Sequence, residues 1–247
     1  MKADVYSLEG KVVKSLELPK AFSETYRKEL VKRAVLSDET KEYQPKGSYK
    51  YAGTETSAKY RGRKETYGAI RDMGISILPR EVLPGGRFGR VRRVPGSVGG
   101  RRAHPPKPHK KIIEKINKKE YKKALRCAIS ATGNTELVAE RNGFKPDVSL
   151  PIVVEDSFEK LKKTKDIMKF LDALKLSKFL KETKKKNKKS ILVVVGGGDV
   201  LKAASNIAGA DVVKAEELKV KHLAPGTHGG RITLFTESAL KKLGEAS

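Results

Sequence analysis

The sequence predicts an α/β fold: a layered, mostly parallel sheet flanked by helices, with one long extended basic loop inserted between two of the helices. Three observations carry that reading. Short β-branched runs at Pro151–Val154, Ile191–Val195, Asp211–Val213 and Arg231–Phe235 alternate with segments of helical periodicity, as in sheets covered by helices on both faces. Between two helical patterns, residues 43–111 show no sustained period and are rich in Gly, Pro and basic residues. Charge is concentrated there as well. From Pro79 to Lys111, seven Arg and three Lys stand against the single acid Glu81, with six Gly and six Pro among them.

In chain order, Asp4–Leu8 and Val12–Leu16 alternate on either side of Glu9-Gly10 and read as a β-hairpin. Ser23 is placed as the N-cap of a helix through about Val35, in which Tyr26, Leu30, Val31 and Ala34 recur at helical spacing. Arg27, Lys28, Lys32 and Arg33 form its basic face. From Tyr43 to Lys111 the only strand candidate is Gly74–Leu78. Asn117 with Glu120 three residues on resembles a capping box, and Tyr121, Ala124, Leu125, Ala128 and Ile129 give the stripe of a helix that Gly133 stops. Asn134–Asn142, closed by Gly143, is a second short helix. Helices are then expected at Ser157–Lys163, Thr164–Leu174, Lys178–Thr183, Val200–Ala208 and Ser238–Leu243. The globular domain is therefore residues 1–42 with 112–247, and 43–111 is the loop.

With 54 Lys and Arg against 29 Asp and Glu, the chain carries a net charge of +25. Such an imbalance favours a partner that presents phosphates. A membrane surface is the competing acidic partner, but no run approaches the ~20 apolar residues of a spanning helix. The basic stretch also lacks an amphipathic apolar face. A segment this basic and this poor in core-forming residues does not offset its own ordering entropy, so it is expected to order against a polyanion. Arg offers a planar fork for phosphate and a face for stacking on bases. The candidate RNA contacts are Arg61, Arg63, Lys64, Arg80, Arg87, Phe88, Arg90, Arg92, Arg93, Arg101, Arg102, His104 and Lys107. Tyr49, Tyr51, Tyr60 and Tyr67, interleaved with these charges, are stacking candidates with Phe88, although each is individually more common as a packing residue. Lys184–Lys189 reads equally as a solvated run and as a further RNA contact.

Other motifs point to no chemistry. VVVGGGDVLKAASN at 193–206 is a strand, a glycine turn and a helix start, but its spacing is neither a dinucleotide fingerprint nor a Walker loop. Asp199 at the turn would repel a phosphate and reads as an N-cap. A nucleotide-dependent enzyme would need acid/base groups around Gly196–Asp199, where only Asp199 itself is on offer. The four His are too scattered for a metal site, and Cys127 falls on the apolar side of its helix as an inert thiol. The lone cysteine forms no intrachain disulfide, and MKADVYSLEG lacks the apolar core of a signal peptide, so a cytoplasmic location is expected.

Four blocks carry a family resemblance: RRVPGSVGGRRAHPPK (Arg92–Lys107), KINKKEYKKALRCAISAT (Lys115–Thr132), NIAGADVV (Asn206–Val213) and LAPGTHGGRITLFTESAL (Leu223–Leu240). In order and over essentially the whole chain, they resemble large-subunit ribosomal protein L-four of the archaeal and eukaryotic type. The resemblance implies a globular α/β domain on the outside of the subunit and a loop threaded through ribosomal RNA. It also implies that the loop's tip lines the peptide exit tunnel beside ribosomal protein L-twenty-two. By position the tip falls near Pro79–Val94, with Arg80, Arg87, Arg90, Arg92 and Arg93, and the returning stem carries Arg101, Arg102, His104 and Lys107. One departure is the Lys-rich segment between about Leu174 and Ser190, where archaeal relatives carry a longer Gly/Arg-rich one, so no family contact is carried over there. The expected function is structural RNA binding in the large ribosomal subunit, with no catalytic role, no cofactor, no membrane and no homo-oligomer. The alternatives are a free regulatory module on messenger RNA and the nucleotide-binding enzyme.

Overall fold

The computed structural model describes residues 1–49, 51, 55–65, 67–144, 146, 148–177, 179–180 and 190–245. These form two compact units. One joins Met1–Glu42 to Ile113–Ser247, and the other is Tyr43–Ile112. In chain order the elements are β1 (Lys2–Tyr6), β2 (Val12–Glu17), α1 (Lys28–Thr40), β3 (Arg80–Val82), β4 (Phe88–Val91), α2 (Lys118–Gly133), α3 (Thr135–Asn142) and β5 (Ile152–Val154). There follow α4 (Thr164–Ala173), β6 (Ile191–Val195), α5 (Val200–Ser205), β7 (Ala210–Lys214), α6 (Val220–Leu223), β8 (Ile232–Thr236) and α7 (Glu237–Glu245).

The larger unit is a six-stranded sheet in the order β2-β1-β5-β8-β6-β7. Only the β1–β2 hairpin at one edge is antiparallel, and the other neighbours are parallel. Successive side chains of a strand point to opposite faces, and here both faces are covered. Ile191, Val193 and Val195 of β6 enter one apolar cluster with Phe170 and Leu171 of α4 and Ala203 of α5. Leu192 and Val194 enter the other, with Val31, Ala34 and Val35 of α1 and Ala124, Cys127 and Ala128 of α2. This double burial is why the strands read as continuous apolar runs rather than as an alternation. The small residues of α2 recur every three or four positions and form the face it packs against α1.

The sequence reading needs correction at several elements. α1 begins at Lys28, not after Ser23. Lys20–Ser23 is instead a short 3-10 turn, in which the Ser23 hydroxyl donates back to the Lys20 carbonyl. Phe22 is drawn from it into the core, edge-on to Phe235 with ring centroids 5.6 Å apart. Burial of that ring outweighs the local capping signal. The segment expected to be helical from Ser157 is a 3-10 turn at Asp156–Lys160, and α5 stops at Ser205 rather than continuing to Ala208. Gly74–Leu78 joins no ladder; the strands of its unit are β3 and β4. The helix α6 was not anticipated. Most of the Lys178–Thr183 helix and all of Lys184–Lys189 lie outside the described residues.

Candidate nucleic-acid interface

The Tyr43–Ile112 unit has seventeen Lys and Arg against four acids. Among its described residues Ile70, at 1% exposure, is the only hydrophobic side chain that is fully buried. Order comes instead from backbone pairing and side-chain clasps. β3 and β4 are antiparallel, with Arg80 opposite Val91 and Val82 opposite Phe88. The reversal between them is Pro84-Gly85-Gly86, with φ of +75° and +77° at the two glycines, a region L side chains disfavour. The Leu83 amide donates to the Arg87 carbonyl at 2.9 Å and closes it. A third, one-residue rung pairs Lys59 with Arg80 through N–O distances of 2.9 and 3.0 Å.

The candidate contacts divide into two groups. Arg63, Lys64, Arg87, Arg90, Arg101, Arg102, His104 and Lys107 are exposed, and among the described residues their side chains meet no acid and no hydrogen-bond acceptor. The rest are held within the unit. Arg61 lies over the Phe88 ring, 5.0 Å from its centroid. Arg92 Nε meets Glu81 Oε2 at 2.7 Å. Arg93, at φ +58°, donates from Nη1 to the Glu55 carbonyl at 3.2 Å. Arg80 donates to the carbonyls of Gly89 and Ser76, both at 3.2 Å, and to the Ser76 hydroxyl at 2.9 Å. Of the aromatic candidates, Tyr49 and Tyr51 form a T-shaped pair with centroids 5.8 Å apart, and the Tyr49 hydroxyl donates to Glu55 Oε1. Tyr67 is fully open, at 96% exposure.

The larger unit adds basic rows of its own. Arg27, Lys28, Lys32 and Arg33 are exposed at and along α1. Sequence reasoning missed a second row on α2: Lys118, Lys119, Lys122 and Lys123, all exposed. Its signal was present as two adjacent lysine pairs one helical turn apart.

At the glycine turn after β6, the place a phosphate would take is held by the protein's own carboxylate. Glu159 Oε1 accepts from the Gly196 amide at 2.7 Å, from Thr236 Oγ1 at 2.6 Å and from Ser238 Oγ at 2.5 Å. Asp199 occupies the N-cap position of α5, but its side chain caps no amide and pairs with Lys162 at 3.5 Å. Among the described residues no three His, Cys, Asp or Glu side chains gather as a metal site. None of the described helices is long and apolar enough to cross a membrane. Cys127 is buried with Sγ 3.3 Å from the Thr25 carbonyl, and burial pushes its thiol pKa up, which suppresses the reactive thiolate.

Comparison with known proteins gives this arrangement a context. The chain is 44% identical to large ribosomal subunit protein uL4 of Methanocaldococcus jannaschii, over 99% of each chain. It is 41% identical to the proteins of that name from Methanoculleus marisnigri, over the full length of both, and Archaeoglobus fulgidus, over 99% of each. A model of the ribosomal protein L4/L1 family matches residues 16–246, a span that takes in strands β5 to β8 of the sheet, the helices and the whole basic unit. The chain belongs to the ribosomal protein L4/L1 family.

Proposed function

We propose that this protein is a structural component of the large ribosomal subunit that binds ribosomal RNA mainly through the Tyr43–Ile112 unit. One observation carries the reading: eight candidate contacts of that unit stand exposed and without a counter-charge among the described residues. Cations left in this state on a small scaffold with little apolar core suit a partner whose phosphates replace the missing acids. The names of the relatives support the ribosomal setting. In this reading Arg101, Arg102, His104 and Lys107 line the stem among phosphates. The hairpin apex with Arg87 and Arg90 reaches the peptide exit tunnel, next to ribosomal protein L-twenty-two. The protein then works in the cytoplasm, within the ribosome. With Glu159 seated in the glycine turn, the geometry lends the nucleotide-binding alternative no support.

Binding of the free protein to a ribosomal RNA fragment, measured from low to high salt, tests the first part. If about six phosphates are neutralised, the slope of log K against log[salt] lies near −4 to −5. A slope of about −1 would overturn the assignment of the basic unit as the binding surface. Retention on large subunits through a high-salt wash tests the ribosomal setting. A photo-crosslinker placed at Arg87 should capture nascent peptide, and failure to do so would remove the tunnel from the proposal.

A further inference from the structure

We propose that Arg80 and Glu81 form a clasp that positions the loop apex, and that Arg80 is not itself a phosphate contact. The inference rests on the RNA-binding reading of the loop and assigns one of its arginines a different part in it.

Arg80 differs from Arg87, Arg90, Arg101 and Arg102 in the respects that matter for an anion. It is half-buried, and its backbone is held on both sides, by Lys59 and by β4. Its guanidinium is spent on two separate segments: Nη1 reaches the Gly89 carbonyl, and Nη2 reaches the carbonyl and hydroxyl of Ser76. Nε is buried without a partner among the described residues. The Nε–Nη2 edge, one of the two-donor forks with which Arg takes phosphate, is therefore closed by packing on one side and by Ser76 on the other.

The neighbouring side chain completes the grip. Glu81 stands at the register shift of the ladder, between Arg80 and Val82. There its carboxylate meets Arg92 Nε at 2.7 Å, bridging the hairpin just beyond β4. Glu81 also lies flat on Gly89, where an added Cβ would come within 3.1 Å of the Glu81 Cβ. Gly89 is thus held through its carbonyl by one residue and covered at its Cα by the next. The only acid of the Pro79–Lys111 stretch is spent on this contact. Between the two grips the chain reverses, and Arg87 and Arg90 project with no partner among the described residues. Side chains on a fixed turn lose less freedom on binding than those on a free glycine-rich thread, so a clasp raises affinity without touching the ligand.

The rival account is that Arg80 exchanges its internal bonds for a phosphate when RNA arrives. Full-length Arg80→Gln, Arg80→Lys, Glu81→Gln, Arg87→Gln and Arg90→Gln separate the two. In the free protein, Arg80→Gln and Arg80→Lys should both speed amide exchange at Leu83 and Lys59 by roughly tenfold, because Lys has no fork to span Ser76 and Gly89. Glu81→Gln should speed exchange at Leu83. With an RNA fragment, Arg87→Gln and Arg90→Gln should each make the salt slope shallower by about 0.7–0.9. Arg80→Gln should instead weaken binding equally at every salt and leave the slope unchanged. An Arg80→Gln slope reduced like that of Arg87→Gln, or amide exchange at Leu83 and Lys59 unaltered in both Arg80 variants, overturns the clasp. If the wild-type slope is itself shallow, the RNA-binding reading fails instead, and the exchange rates alone decide whether the clasp exists.

Discussion

His222 lies under the side chain that ties three strands together. The guanidinium of Arg231, at 0% exposure, donates to the carbonyls of Ser190, Ile191 and His222 and to Asp211 Oδ2 at 2.7 Å. His222 Nδ1 accepts from the Lys219 amide at 3.3 Å, which requires the neutral ring. Burial chiefly, with the neighbouring cations Lys221, Lys219 and Arg231, holds the His222 pKa below its usual value, and Asp211 opposes them only in part. The unfolded chain therefore takes up this proton more readily than the folded one. The contribution is complete above the unfolded pKa of about 6.5 and is lost as pH falls through the lower folded value. The urea midpoint should drop between pH 7 and 5.5, while most carboxylates remain ionised, and His222→Gln should flatten that drop. An equally steep profile in the variant would place the titrating group elsewhere. None of this was visible in the chain order. Arg231 reads as a polar residue at the start of a strand, and only the arrival of β6, β7 and α6 around it supplies four acceptors.

At the scale of elements, two asparagines with the same local signature behave differently. Asn117 and Asn134 both precede a helix in extended backbone conformation. Asn134 Oδ1 accepts from the Glu136 and Leu137 amides at 2.9 and 3.4 Å, whereas Asn117 caps nothing with its side chain. The Glu120 that would complete a box with Asn117 instead faces Arg33 of α1 at 3.5 Å. Asn134→Ala should cost about 1 kcal/mol in urea unfolding, and Asn117→Ala less than about half of that; equal losses would contradict the geometry. The Gly74–Leu78 misreading has a similar cause. Ile75 and Ile77 alternate as in a strand, but both are exposed, and a strand needs a partner as well as a pattern. The ladder forms where the Pro84–Gly86 turn returns Phe88–Val91 alongside Arg80–Val82, a segment whose charge and glycine content hide it from periodicity.

For the molecule as a whole, the two chain segments at which the larger unit is interrupted are tied to each other inside it. Ser37 Oγ donates to the Glu114 carbonyl at 2.7 Å, and the Glu114 amide donates to Thr40 Oγ1 at 3.2 Å. The end of α1 and the chain leading to α2 are thereby joined within the larger unit, which holds both apolar clusters. Replacing Gly47–Lys110 by a short Gly/Ser linker should leave cooperative thermal unfolding intact and abolish tight binding to ribosomal RNA fragments. Loss of the thermal transition would show that the basic unit contributes to the core, and retained binding would move the interface to the lysine rows of α1 and α2.

By itself the sequence determined the α/β class, the positions of four parallel strands, the second short helix closed by Gly143, and the concentration of positive charge in one insertion. Those properties are local: periodicity, capping and charge density are readable within a dozen residues. Tertiary structure alone decided the strand order, the seating of Glu159 in the glycine turn 37 residues away, and the pairing of Lys14 with Glu237 across 223 residues. It also decided which arginines of the basic unit are spent on holding the chain and which have no partner among the described residues. The reason is physical: a guanidinium has the same charge in either role. Which acceptors it meets depends on where the turns bring distant backbone carbonyls and carboxylates, and this chain's net charge leaves few carboxylates to share.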